Sequence, residues 1–135
     1  MSNDINLKYL THCTYKLTYH LILITKYRKR CISDPMRIRI GEIFEDLLKK
    51  WECFLLEFNG EADHVHMLIE LNPRIQPSSL IRNLKSVSSR IIRDEFCEEL
   101  KNIYWKPVFW SKTYCLLTCG GAPLNIIKKY IENHS

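Results

Sequence analysis

Two histidines separated by one residue, His64 and His66, stand in the run Asp63-His64-Val65-His66-Met67-Leu68-Ile69-Glu70-Leu71. Side chains on a strand alternate between faces, so the two imidazoles project the same way, roughly 7 Å apart at Cα, and both can reach one divalent ion. Val65, Met67, Ile69 and Leu71 supply the opposite, apolar face. A His-x-His pair by itself specifies a metal and leaves the reaction open. Near the end of the chain Tyr130 and His134 are i and i+4 on a helical pattern, with Lys128 and Lys129 beside the tyrosine, so a phenol shares a helix face with a third ligand type. Taken alone, Tyr130 reads more readily as a packing residue among Ile126, Ile127 and Ile131. A phenol with a pKa of about 10 is a poor nucleophile at neutral pH unless a metal or cations stabilise its phenolate, which a His-x-His site would do. Together these parts point to tyrosine attack on a phosphodiester.

The cations of the chain are grouped in a way that suits such a substrate. The net charge of +5 is modest, so placement matters more than total. One group is the run Lys26-Tyr27-Arg28-Lys29-Arg30. The other is a stripe of Arg82, Lys85, Arg90 and Arg93, which on a helix falls within about 140° of arc, with Ser86 and Ser89 among them and no acid before Asp94. A solvated helix face explains such a stripe as well, if nothing else is known.

These residues need a frame, and 135 residues suffice for one domain spanning 1–135. No apolar run reaches the roughly 18 residues of a membrane span, and Met1-Ser2-Asn3-Asp4 does not resemble a signal peptide, so a cytoplasmic protein is expected. The six cysteines lack a Cys-x-x-Cys pair, as expected for reduced thiols. Alternation from Cys13 to Leu23 predicts a first strand over 13–24. Ser33-Asp34-Pro35 opens a helix carrying Met36, Ile40, Ile43, Phe44, Leu47, Leu48 and Trp51 at helical spacing. A strand over 53–59, a turn at Asn59-Gly60-Glu61-Ala62 and the histidine strand over 64–71 predict an antiparallel hairpin. A second helix is predicted from near Ser78 to about Phe96, with Leu80, Leu84, Val87 and Ile91 as its apolar stripe. Tyr104, Trp105, Phe109 and Trp110 fall in a connector over 101–112, where such residues serve packing more often than base stacking. A last strand over 113–119, a turn at Gly120-Gly121 and a helix from Pro123 complete the chain. The order β-α-β-β-α-β predicts an α+β, ferredoxin-like or RRM-like antiparallel sheet with helices on one face, plus a C-terminal tyrosine-bearing helix.

At this point the chain resembles a known family, the single-tyrosine HUH transposases of the insertion-sequence 200/605 type. The matching stretches are Tyr15-Lys16-Leu17-Thr18-Tyr19-His20 with the basic run 26–30, Asp63-His64-Val65-His66, Lys85-Ser86-Val87-Ser88-Ser89-Arg90, Phe109-Trp110-Ser111-Lys112-Thr113-Tyr114, and the closing 120–133. The resemblance implies that His64, His66 and His134 hold a divalent metal, Mg²⁺ or Mn²⁺, while Tyr130 cleaves single-stranded DNA at hairpin-bearing element ends through a 5′-phosphotyrosine. His134 stands where relatives commonly carry Gln. The resemblance further implies a homodimer with active sites shared between subunits, and no membrane association. Lys26, Arg28, Lys29, Arg30, Arg82, Lys85, Arg90 and Arg93 are the expected DNA-backbone contacts. The alternative is a domesticated or inactive relative that serves as a nucleic-acid-binding module.

Overall fold

A polar pair at the first sheet strand sets the architecture. Glu70 is fully buried and accepts hydrogen bonds from the Leu17 backbone N–H and from Thr18 Oγ1, the latter at 2.7 Å. The expected strand over 13–24 therefore breaks at residues 16–17. Its first part, β2 (Cys13–Tyr15), folds back on a short β1 (Lys8–Leu10), while β3 (Thr18–Thr25) enters the main sheet. The computed structural model describes residues 7–10, 12–119 and 124–133, with the side chains of 124–128 left aside.

After β3 comes a single helical turn at Lys26–Arg28, then α1 (Asp34–Lys50), β4 (Phe54–Glu61), β5 (His64–Glu70), α2 (Pro77–Glu95), the short α3 (Cys97–Leu100), β6 (Trp110–Thr118) and α4 (Leu124–Asn133). Ser33 caps α1 by accepting a hydrogen bond from the Met36 N–H at 3.3 Å, with proline just inside the helix start, as its sequence predicts. The sheet order is β4-β5-β3-β6 with every neighbouring pair antiparallel. This is the ferredoxin-like arrangement.

Each face of the sheet carries a core. Leu21, Leu23, Val65, Met67 and Ile69 join Met36, Ile40, Phe44 and Leu48 of α1 and Leu80, Ile81 and Leu84 of α2 in the main core. On the other face, among the described residues, Ile22 and Ile24 are fully buried, and Cys115, Leu117, Tyr130 and Ile131 pack against them. At about 1.5–3 kcal/mol for each buried isoleucine, Ile22 and Ile24 contribute on the order of 3–6 kcal/mol to this second core.

Two local expectations change. The apolar face of α2 runs through Leu80, Ile81, Leu84, Ser88 and Ile92, while Val87 and Ile91 are only partly buried. Ser88 replaces an apolar residue because its hydroxyl accepts a hydrogen bond from Trp110 Nε1 at 2.9 Å. The chain also does not turn at Asn59-Gly60. The strand continues to Glu61, and the turn is Ala62-Asp63. Gly60 belongs to the ladder because a Cβ there would lie 2.9 Å from the His64 carbonyl oxygen.

Candidate active site

The register of the sheet determines which side chains share the histidine face. His64 pairs with Ile24 and Glu61, and His66 with Ile22 and Asn59. Ile22 pairs in turn with Cys115 of β6, so one face presents His64 and His66 on β5, Ile22 and Ile24 on β3, and Cys115 on β6.

Asp63, at the hairpin turn, orients the first imidazole. His64 Nδ1 donates to Asp63 Oδ1 at 2.9 Å, which leaves Nε2 with its lone pair directed away as a ligand atom. The other carboxylate oxygen accepts from Arg28 Nε at 3.1 Å, and Arg30 Nη1 lies 3.8 Å from it. Burial alone raises the Asp63 carboxyl, but the hydrogen bonds from His64 and Arg28 outweigh it and hold the group below its ordinary 3.8. Burial, followed by the neighbouring His20 and His64, pushes the His66 imidazole below its ordinary 6.5, against the opposing pull of Glu57. A neutral imidazole is the form that ligates a metal.

His20 was not singled out by the sequence pattern. It pairs with Leu68, two positions along from His66 on the same face, and its Nδ1 lies 3.1 Å from His66 Nε2. Ligation through His66 Nε2 requires this contact to open. Among the described residues no three His, Cys, Asp or Glu side chains converge as a metal site. The donor set is therefore two imidazoles, one already oriented and one held by His20. It fits a divalent ion that takes its remaining ligands from water, from a phosphate or from another element. His134, the expected third ligand, lies outside the described residues, as do Gly120-Gly121 and Pro123.

Tyr130 shares the histidine face but not the histidine edge of it. Its hydroxyl is buried, with Thr113 of β6 as hydrogen-bonding neighbour and Cys115 close by. Thr113 is two strands from His64, on the order of 10 Å across the sheet. Burial raises the phenol above its ordinary 10.0, and Thr113 only partly offsets this. Arg28 links the two halves of the site. While Nε holds Asp63, Nη1 donates to the Glu132 carbonyl of α4 at 3.0 Å. The turn that supplies Arg28 is strained, since Tyr27 (φ 59) and Arg28 (φ 54) both adopt left-handed backbone conformations.

The structure thus separates the expected phosphate contacts. Arg28 and Arg30 are engaged with Asp63, whereas Lys29 is exposed. Arg82 and Lys85 meet Lys112 and Tyr114 in a groove of about 430 Å³ beside α2. Lys85 Nζ donates to the Lys112 carbonyl at 2.9 Å, and burial together with Lys26 lowers its pKa. Arg93 faces a neighbouring groove and donates from Nε to Ser89 Oγ at 3.1 Å. Arg90 is exposed and lines neither groove.

Fold and site together define a ferredoxin-like α+β domain with a His-x-His pair and a tyrosine-bearing helix on one sheet face. The model of the IS200-like transposase family matches residues 13–134, and the chain belongs to that family, of the IS200/605 type. Among its relatives, the transposase for insertion sequence element IS200 of Salmonella typhimurium is 33% identical over 126 residues, covering 93% of this chain and 82% of the relative. The ISDra2 transposase TnpA of Deinococcus radiodurans is 29% identical over 119 residues, covering 88% and 84%. A crystal structure of a Deinococcus radiodurans R1 protein described as a transposase superposes with a TM-score of 0.82 at 30% identity, covering 93% of this chain and 96% of that one. The REP-associated tyrosine transposase bound to a REP hairpin shares the fold, with a TM-score of 0.58 at 9% identity over 93% of this chain and 68% of that one. The chain is a transposase, and among the described residues no helix is long and apolar enough to cross a membrane.

Proposed function

We propose that this transposase cleaves and rejoins single-stranded DNA at hairpin-bearing element ends, with Tyr130 as nucleophile. The observation that carries this reading is the placement of His64, His66 and Tyr130 on one sheet face, with Asp63 orienting the first imidazole. His64 and His66 would hold a divalent ion, Mg²⁺ or Mn²⁺, joined by His134, and the bound ion would supply positive charge at the scissile phosphate. The Tyr130 oxygen forms a bond to phosphorus as the bond from phosphorus to the 3′ oxygen breaks. The phenolic proton ends on the departing oxygen, giving a 5′-phosphotyrosine and a free 3′-OH. Reversal by another 3′-OH rejoins strands without ATP. Arg82, Lys85 and Lys29 would neutralise backbone phosphates, with Lys26, Arg90 and Arg93 at the margins. The hairpin held by the REP-associated transposase, whose fold this chain shares, supports hairpin ends as the substrate class.

The separation of Tyr130 from the histidines supports a homodimer in which α4 of one subunit serves the histidine pair of the other. The same separation also favours a second reading, a binding module without the covalent step. One experiment distinguishes them. The protein is incubated with Mn²⁺ and a labelled single-stranded oligonucleotide from its own genomic flanks, and a denaturation-resistant adduct is sought. Wild type should form it, while Tyr130→Phe should bind the oligonucleotide and form none. An adduct that persists in Tyr130→Phe removes Tyr130 as nucleophile, and no adduct in wild type leaves the binding module.

A further inference from the structure

The connector before β6 and the first residue of that strand supply four aromatic residues, and three behave as packing residues. Tyr104, Phe109 and Trp110 are buried, and the Tyr104 hydroxyl donates to the Lys26 carbonyl at 2.6 Å. Trp105 is 84% exposed, the most exposed of the large hydrophobic side chains among the described residues. Hydrophobic burial does not explain an indole in that position.

The surroundings of Trp105 indicate what it is for. Trp105 separates two grooves, of about 340 and 280 Å³. The first is also lined by Tyr27 and Lys29, the second by Arg93 and Lys101, and Lys106 borders both. Among the described residues no acidic side chain lines either groove, although Lys101 pairs with Glu98 at 2.8 Å just outside. Each exposed ring carries an ammonium. Lys106 Nζ sits 4.9 Å from the Trp105 ring and Lys26 Nζ 5.3 Å from the Tyr27 ring. A ring with a free face and an adjacent cation matches the two parts of a nucleotide, base and phosphate. Tyr27 is 54% exposed and directly precedes Arg28, which binds the carboxylate that orients His64. The platform is therefore continuous with the candidate site.

We propose that Trp105, with Tyr27 and the lysines around them, is a stacking platform for unpaired deoxynucleotides that flank the scissile phosphate. This inference rests on single-stranded DNA being the substrate, and it adds a binding site with its own ligand. Stacking accepts any base, so the platform contributes affinity for unpaired strand without reading its sequence.

The test compares wild type, Trp105→Ala and Trp105→Phe on two ligands, a hairpin with an unpaired flank and the same hairpin without one. Trp105→Ala should bind the flanked hairpin about tenfold more weakly and the bare hairpin equally well, and Trp105→Phe should restore most of the loss. DNA should quench tryptophan emission in wild type and much less in Trp105→Ala, and the salt dependence of binding should be the same in both. At 84% exposure the side chain is not needed for folding, which a thermal melt verifies. Unchanged affinity of Trp105→Ala for the flanked hairpin overturns the platform. So does an equal loss on the bare hairpin. Tighter binding of an oligoribonucleotide of the same sequence overturns the DNA assignment. Failure of the cleavage reading shows separately, as no covalent adduct in wild type even at saturating DNA.

Discussion

Replacing Asp63 by Asn keeps the shape of the side chain and removes the charge that both His64 and Arg28 use. The side chain is 8% exposed and accepts from His64 Nδ1 at 2.9 Å and Arg28 Nε at 3.1 Å. An amide has one accepting oxygen, so one of the two donors must face an NH₂ group. Hydrogen bonds to a charged partner contribute about 1.5–3 kcal/mol each and neutral ones about 0.5–1.5. Losing one bond and weakening the other, discounted for the partial exposure of Arg28, gives a destabilisation of about 2 kcal/mol, or a melting temperature lower by roughly 8 °C. The carboxyl is held below 3.8 in the folded state, so its contribution is fully present above that pH and is lost as pH falls through the lower folded value. Wild type and Asp63→Asn should therefore converge in strong acid. Releasing the His64 ring should also weaken Mn²⁺ binding by about ten- to a hundredfold, as loss of an orienting partner does at metal sites. Calorimetric melts across pH and Mn²⁺ titration followed by electron paramagnetic resonance measure both. If Asp63→Asn melts earlier yet binds Mn²⁺ as tightly as wild type, Asp63 serves the hairpin turn and does not orient a ligand.

Three further outcomes are expected. Gly60→Ala sets a methyl group 2.9 Å from the His64 carbonyl oxygen, so it should cost about 1–3 kcal/mol in urea unfolding and depress cleavage, whereas Gly41→Ala, whose neighbour is the Phe58 ring edge, should cost less. Because folding lowers the His66 pKa, the unfolded chain takes up the proton first as pH falls below 6.5, so stability falls there with decreasing pH. Unfolding free energies measured at around pH 7.5 and 5.5 should differ less in His66→Gln than in wild type. Mixing His66→Ala with Tyr130→Phe protein should restore part of the cleavage activity through heterodimers holding one intact site. No recovery after proven subunit exchange excludes shared sites.

Local periodicity carried much of the fold. Ser33-Asp34-Pro35 and the recurrence from Met36 to Leu48 were enough for α1, and strict alternation was enough to place His64 and His66 on the face opposite Val65 and Met67. Contacts between distant residues were not readable in the same way. Lys26 to Arg30 looked like one group of phosphate contacts because nothing nearby in sequence shows that Arg28 meets an aspartate 35 positions later. His20 alternates with Ile22 and Ile24 like any strand residue, and only the pairing of β3 with β5 brings it to His66. A check for a second polar residue in that alternating set would have found it. Asn59-Gly60 has the composition of a hairpin turn, yet the glycine is required by a close approach across the ladder, which depends on register. The connector aromatics were correctly weighted toward packing, but sequence could not separate Trp105 from its three buried neighbours.

The left-handed backbone at Tyr27 and Arg28 has a consequence for the evolution of this chain. A side chain in that conformation costs about 1–2 kcal/mol relative to glycine; at 28 the hydrogen bonds of Arg28 to Asp63 and to the Glu132 carbonyl offset this, so it is at 27 that glycine would make the protein more stable. A library selected only for heat tolerance should therefore accumulate glycine at 27 and keep Arg28. The same clones would lose the ring that borders the Trp105 groove. Thermal robustness and function select opposite residues at position 27, and the tyrosine present there is one that selection for stability alone would remove.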